Sequence, residues 1–175
     1  LHFDVVAGHS LGEWSALVAA GALSLPEAVK LTHLRGQFMQ EAVPVGIGSM
    51  AAIMGLSLDK LREVCAKASA PGEPVEPANL NGGGQIVISG HTSAVDRAIP
   101  EAKAAGAKIA KKLSVSAPFH CSLMQPAQQR LSVAIADTVI SAPSVPVVAN
   151  VTAEPTSDPA TIKDLLIRQV TAPVR

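Results

Sequence analysis

A serine lies at the centre of Gly8-His9-Ser10-Leu11-Gly12, a G-x-S-x-G pattern. A serine hydroxyl attacks a carbonyl only when a base takes its proton and fixed dipoles meet the charge that develops. The surrounding residues suit that chemistry. Leu1 to Ala7 (LHFDVVA) is apolar and β-branched and reads as a short buried strand, and Leu11 to Leu23 reads as a helix. Two glycines permit a tight strand-to-helix turn, which lifts Ser10 to a helix N-terminus and aims the Leu11 N–H at a developing oxyanion.

The base must come from five histidines. His2 lies in the strand and is expected to be packed there. His9 points away along the turn and suits a structural hydrogen bond. His33 lies among charges on a helix and should be solvated. His91 sits in a turn before a helix. His120 follows Ala117-Pro118-Phe119 in a loop between two units of the chain, where functional residues concentrate, and is the favoured base. A hydrolase triad would add an acid between serine and histidine in chain order. Asp59 and Asp96 are the aspartates there, and each is placed in the first turn of a predicted helix, where the helix dipole already favours an acid. A Ser–His dyad, with the imidazole held by a backbone carbonyl or an amide, is the better expectation.

Arg35 falls on the apolar stripe Ala28, Leu31, Phe38, Ala42, with no acid three or four residues away. A buried cation is costly unless paired. Arg35 therefore either presents its guanidinium to a ligand carboxylate, snorkels to the surface, or pairs with a distant acid.

The remaining elements must position these residues. Ser24-Leu25-Pro26-Glu27 is a capping box that starts a helix running to about Ala42. Residues 45–115 have a different rhythm. Strands are expected at Ser49 to Leu56, Gln85 to Ser89 and Lys108 to Val115, with helices at Ser57 to Ala68 and at Thr92 to Ala105, kinked at Pro100. Ala70 to Glu76 is expected to be a loop, and Asn79 to Gly84 a connecting loop without the features of a phosphate loop. This order suggests an inserted ferredoxin-like subdomain. A helix from Leu123 to about Val139, a strand from Val145 to Val151 and a helix from Thr161 to about Val170 complete the chain. The expected architecture is a three-layer α/β core, residues 1–44 and 116–175, carrying the insert at 45–115.

Composition narrows the function. In 175 residues, Lys+Arg and Asp+Glu are both 14, which excludes nucleic-acid binding through bulk positive charge. With 48% hydrophobic and 16% charged residues the chain is not disordered, and no apolar run reaches the ~18 residues of a membrane helix. Aromatics are scarce, so the core must be aliphatic, with Trp14 as packing. Cys65 and Cys121 lack metal spacing and are expected to be reduced structural thiols. The chain opens on Leu1, directly into a strand-like run, as a fragment would.

Gly8-His9-Ser10-Leu11-Gly12-Glu13 with Ser15 to Gly21, Arg35-Gly36 through Met39 to Ala42, Gln85 through Gly90-His91, Ala117 to Met124, Pro146-Val147 through Asn150-Val151, and Arg168-Gln169 together resemble the malonyl-CoA:acyl-carrier-protein transacylases of bacterial fatty-acid synthesis. The acyltransferase domains of polyketide and fatty-acid synthases are related. The resemblance covers essentially the whole chain. It implies an α/β-hydrolase-like acyltransferase core with a ferredoxin-like subdomain, a cytoplasmic setting, and no cofactor or metal. Ser10 would take malonyl from malonyl-CoA, His120 would act as base and then acid, and Arg35 would hold the malonyl carboxylate. The main-chain carbonyl of Gln169 would receive the histidine N–H, which accounts for the missing acid. Leu11 and Phe119 fit the malonyl-selective pattern. The acceptor would be the phosphopantetheine of an acidic acyl carrier protein, which Lys103, Lys108, Lys111 and Lys112 could steer. The family's Gly-Gln-Gly segment, which supplies a second oxyanion N–H, is absent here, so the resemblance is to a central fragment. A serine hydrolase with the same turn, or an inactive fragment, are the alternatives.

Overall fold

The computed structural model describes residues 2–175. Two units, each with its own sheet and apolar core, meet around residues 115–125.

The first unit begins with β1 (Val6–Ala7), the turn bearing Ser10, and α1 (Leu11–Ala19). It continues with α2 (Leu25–Glu41), which starts as expected: Ser24 caps it by accepting from the Glu27 N–H, and Pro26 occupies the first turn. The second unit follows as β2 (Gly48–Met54), α3 (Leu58–Ala68), β3 (Val75–Leu80), β4 (Gln85–His91), α4 (Thr92–Ala104) and β5 (Ile109–Lys112). The chain then returns to the first unit through a 3-10 turn at Ser122–Met124, α5 (Gln125–Ile135), β6 (Val147–Val148), β7 (Pro155–Thr156) and α6 (Pro159–Arg168).

In the first unit β6 pairs parallel with β1 and antiparallel with β7. Trp14, Leu17, Leu31, Met124, Leu131 and Leu166 pack the helices into a core dominated by aliphatic side chains. In the second unit the order β3-β4-β2-β5 is antiparallel throughout, with α3 and α4 on one face over Ile53, Leu61, Ile88 and Val95. The β-α-β-β-α-β sequence is the ferredoxin-like arrangement. The other face, through Met50 and Val87, packs against Phe119.

Several boundaries differ from those read in the sequence. The expected loop Ala70 to Glu76 runs into β3, the strand that completes the ferredoxin-like sheet. Pro77 masks it: β3 is an edge strand, and its register shifts between Pro77 and Asn79, where an imino acid costs no ladder bond. The strand expected over residues 1–7 is regular only at Val6–Ala7, and Leu1 lies outside the described residues. His2 is exposed rather than packed, as are Phe3 and Val5, because the strand has β6 as its single neighbour among the described residues. α5 stops at Ile135 because Ser141 and Ser144 turn away to donate to the Ala22 and Ala20 carbonyls (2.9 and 2.8 Å), leaving Val139 exposed. β6 covers two of the seven residues expected and β7 was not anticipated. Asp96 lies past the first turn of α4 and pairs with Lys112.

The two glycines of the Ser10 turn are not equivalent. A Cβ on Gly8 would overlap the Gly12 carbonyl, which is backbone and cannot rotate aside, whereas one on Gly12 would meet nothing within 4 Å. Gly8→Ala is therefore expected to destabilise the chain by about 1–3 kcal/mol. Gly12→Ala, which removes a glycine from a helix, is expected to be neutral or stabilising by up to about 1 kcal/mol. Urea denaturation midpoints of the two variants test this, and equal midpoints would contradict it.

Candidate active site

Ser10 is held in a conformation that a side chain seldom adopts, φ 55° and ψ −105°, at the N-cap of α1. Three groups hold it there. Its N–H donates to Asn150 Oδ1 (2.6 Å). Its carbonyl accepts from Gln169 Nε2 (3.0 Å) and from the Glu13 N–H (3.2 Å). Asn150 Nδ2 also donates to the Gly8 carbonyl (2.7 Å), so one amide side chain grips both ends of the turn.

The Ser10 hydroxyl lies 2.7 Å from His120 Nε2. On its other side, His120 Nδ1 lies 2.8 Å from the Gln169 carbonyl. A carbonyl can only accept, so Nδ1 carries the hydrogen and Nε2 presents its lone pair to the serine. His120 is 3% exposed, and burial pushes it down to about 4, with the Arg35 charge acting in the same direction. The imidazole is therefore neutral near pH 7.

Arg35 enters from α2, buried on its apolar stripe. Its Nη2 donates to Ser10 Oγ (2.9 Å) and to Gln169 Oε1 (2.9 Å), while Nε is buried with no partner. Burial lowers Arg35 to about 10, opposed by the Glu13 charge, so it stays cationic at neutral pH. Of the three fates open to it in the sequence, it does not snorkel. Its balancing acid is Glu13, across the Gln169 amide.

Ser10, His120, Arg35 and Gln169 are thus brought together. Leu11 opens α1 beside them with its side chain exposed. His9 Nε2 reaches Asn81 Oδ1 (3.2 Å) at the β3–β4 connection, and a cavity of about 610 Å³ opens there, lined by Gly8, His9, Asn81 and Asn150 among others. A larger cavity, about 800 Å³ beside Ser24, Glu27 and Asp137, contains none of these groups. His33 is exposed, and His91 ends β4 with Nδ1 against Ser93 Oγ (2.8 Å). The four lysines do not form one patch. Lys112 pairs with Asp96 (2.7 Å), and strand alternation sends Lys111 to the opposite face of β5.

Sequence reasoning gave no role to Glu13 or Asn150, although both lie in segments that carry the family resemblance. Glu13 sits one helical turn after Ser10, a spacing that places it beneath Ser10 on the same helix face. Asn150 is 140 residues from Ser10, and no local pattern signals the contact. Cys65 and Cys121 are free and buried, their thiols pushed up to about 12 and about 11, as inert core residues should be. Among the described residues no cluster of His, Cys, Asp or Glu is placed to hold a metal, and no helix is long and apolar enough to cross a membrane.

A malonyl CoA-acyl carrier protein transacylase of Salmonella typhimurium is 52% identical over 171 residues, which is 98% of this chain and 55% of that protein. The solved malonyl CoA-acyl carrier protein transacylase of Coxiella burnetii superposes on all of this chain with a TM-score of 0.96 and 54% identity, over 55% of its own length. A malonyl-transacylase solved in complex with its type II PKS acyl-carrier protein gives 0.96 at 44% identity, covering 100% of this chain and 56% of that one. The chain therefore spans about half the length of the relatives it matches. The sequence pattern of the acyl transferase domain extends over residues 1–175, the whole chain, and with the serine turn, the buried histidine and the shared fold this chain belongs to the acyl transferase domain family.

Proposed function

We propose that this chain carries the working residues of an S-malonyltransferase, which moves malonyl from malonyl-CoA to the phosphopantetheine thiol of an acyl carrier protein in the cytoplasmic synthesis of fatty acids. The observation that carries this reading is the placement of one hydroxyl between a neutral base and a buried cation: Ser10 Oγ lies 2.7 Å from His120 Nε2 and 2.9 Å from Arg35 Nη2.

The steps follow from that geometry. His120 Nε2 takes the Ser10 proton as Oγ attacks the thioester carbonyl. The Gln169 carbonyl stabilises the imidazolium through Nδ1–H, in the role an acid has in a triad. The Leu11 N–H, at the positive end of α1, meets the oxyanion. Collapse breaks the C–S bond, and His120 returns its proton to the departing thiolate. In the second half-reaction His120 takes the proton of the pantetheine thiol. The thiolate attacks the malonyl-serine ester, and Ser10 leaves with the proton back on Oγ. No cofactor is needed, because the thioesters supply the activated acyl group.

Arg35 sets the substrate class. A neutral ester gains nothing from a buried guanidinium beside the nucleophile, whereas a malonyl group carries a carboxylate two carbons from the attacked carbonyl. The unpartnered Nε–H supports this, since it leaves a donor of the guanidinium for a hydrogen bond to that carboxylate. Leu11 is exposed beside Ser10, and Gln169 lies buried beneath Arg35 and holds it. Lys103, Lys108 and Lys111 are exposed cations, separate contacts for an acidic carrier rather than one patch, and Lys112 is paired with Asp96.

Intact-mass spectrometry after brief exposure to malonyl-CoA or acetyl-CoA tests this directly. A malonyl adduct lost in Ser10→Ala is expected. Arg35→Ala should lower the preference for malonyl over acetyl about 10- to 100-fold, the worth of a hydrogen-bonded charge. An unchanged preference would contradict the assignment of Arg35, and hydrolysis with no transfer would favour a serine hydrolase.

The pH dependence has a defined sign. Protonating Nε2 removes the base, so Ser10 reactivity falls as pH drops through the folded-state value of His120. The acid limb of kcat/KM is expected near pH 4, well below the ~6.5 of a free imidazole. A limb at 6.5 or above would contradict a buried, neutral His120.

A further inference from the structure

Glu13 is buried, 2% exposed, and the steps above make no use of it. One carboxylate oxygen, Oε2, accepts from Gln169 Nε2 (2.7 Å) and from the Asn150 backbone N–H (3.1 Å). Those two residues are the ones that hold the reacting groups. Gln169 gives its carbonyl to His120, its Oε1 to Arg35 and a third contact to the Ser10 carbonyl. Asn150 takes the Ser10 N–H and grips the Gly8 carbonyl. The amide orientation of Gln169 is forced: Nε2 faces oxygens and Oε1 faces a guanidinium, so a flip would set donor against donor and acceptor against acceptor. An acceptor at Glu13 fixes that choice.

We infer that Glu13 is a positioning residue, whose single carboxylate oxygen ties Gln169 and Asn150 together and so aligns Ser10, His120 and Arg35 from beneath the nucleophile turn. It touches no reacting atom. Burial raises its pKa, and the Asn150 and Gln169 hydrogen bonds with the Arg35 charge oppose that rise. The positioning role asks for an acceptor at Oε2, and is separate from the charge that the same carboxylate offers to Arg35. The inference rests on Ser10 being the nucleophile, and not on which acyl group it carries.

The test uses the protein carrying this chain and a small neutral fluorophosphonate, which reports Ser10 reactivity without needing a carboxylate-bearing substrate. Glu13→Ala is expected to slow labelling about 10- to 100-fold, the scale of a small misalignment of a nucleophile and its base. Glu13→Gln keeps an oxygen able to accept both bonds and is expected to recover labelling to within about threefold of the parent. Thermal melting is followed in parallel. Fast labelling of Glu13→Ala would overturn the inference. So would equal losses in both variants that track their melting temperatures, since that is the signature of a merely structural residue. A parent that labels at Ser10 but takes no malonyl from malonyl-CoA would reject the proposed function while leaving this test intact.

Discussion

The hydrogen bond from His120 Nδ1 to the main-chain carbonyl of Gln169 is the contact on which the rest of the site depends. A carbonyl is an acceptor with no charge to titrate, so it selects the imidazole tautomer without bringing an anion into a buried place. An acid there would raise the histidine and bring a second desolvated charge. With a carbonyl instead, burial and the neighbouring Arg35 keep His120 neutral, and the Ser10 hydroxyl faces a bare ring nitrogen able to accept.

The position of that carbonyl is set by the end of α6. The helix is capped at its start by Asp158, which accepts from the Thr161 N–H (2.8 Å), and is seated by Ile162, Leu165 and Leu166. Gln169 follows its last turn, fully buried, with its side chain joined to Arg35 from α2, to Glu13 from α1 and to the backbone of Ser10. Helices from the two ends of the chain, α1 and α2 on one side and α6 on the other, therefore converge on one residue. The second unit closes the arrangement from the other side. Glu76 on β3 accepts from the Ser122 N–H (3.1 Å), two residues after His120, and Val174 exchanges backbone bonds with Ala78 and Leu80. The loop that carries His120, itself at φ 60°, is thus tied to both units.

How much of this was legible depended on whether the cause was local. The Ser10 turn was legible because the glycines, the strand and the helix lie close together in sequence. Arg35 stood out because a charge interrupted an apolar stripe. His120 could be chosen by its place in a junction loop, and the carbonyl partner through the family resemblance. Glu13 and Asn150 were hidden for different reasons. Glu13 reads as an ordinary acid in a first helical turn, and Asn150 acts across 140 residues. In the fold, the helices capped by Ser24 and Ser57 kept their expected starts, whereas α6, capped by Asp158, starts at Pro159 rather than at Thr161. β3 was lost because Pro77 argues against a strand until its edge position is known. The C-terminal strand shrank because apolar runs report burial and not ladder length. The fold class itself, an α/β core with a ferredoxin-like unit, was carried by element order, which survives such errors.

The protonation state of His120 is the most direct point of attack, because tautomer, burial and the absence of an acid all meet there. Nitrogen-15 NMR of histidine-labelled protein at neutral pH reads it without substrate. The expected spectrum has a protonated Nδ1 and a bare Nε2 for His120, assigned by its loss in His120→Ala. An Nε2–H tautomer, or an imidazolium at pH 7, would contradict a dyad whose base is held neutral and oriented by a carbonyl.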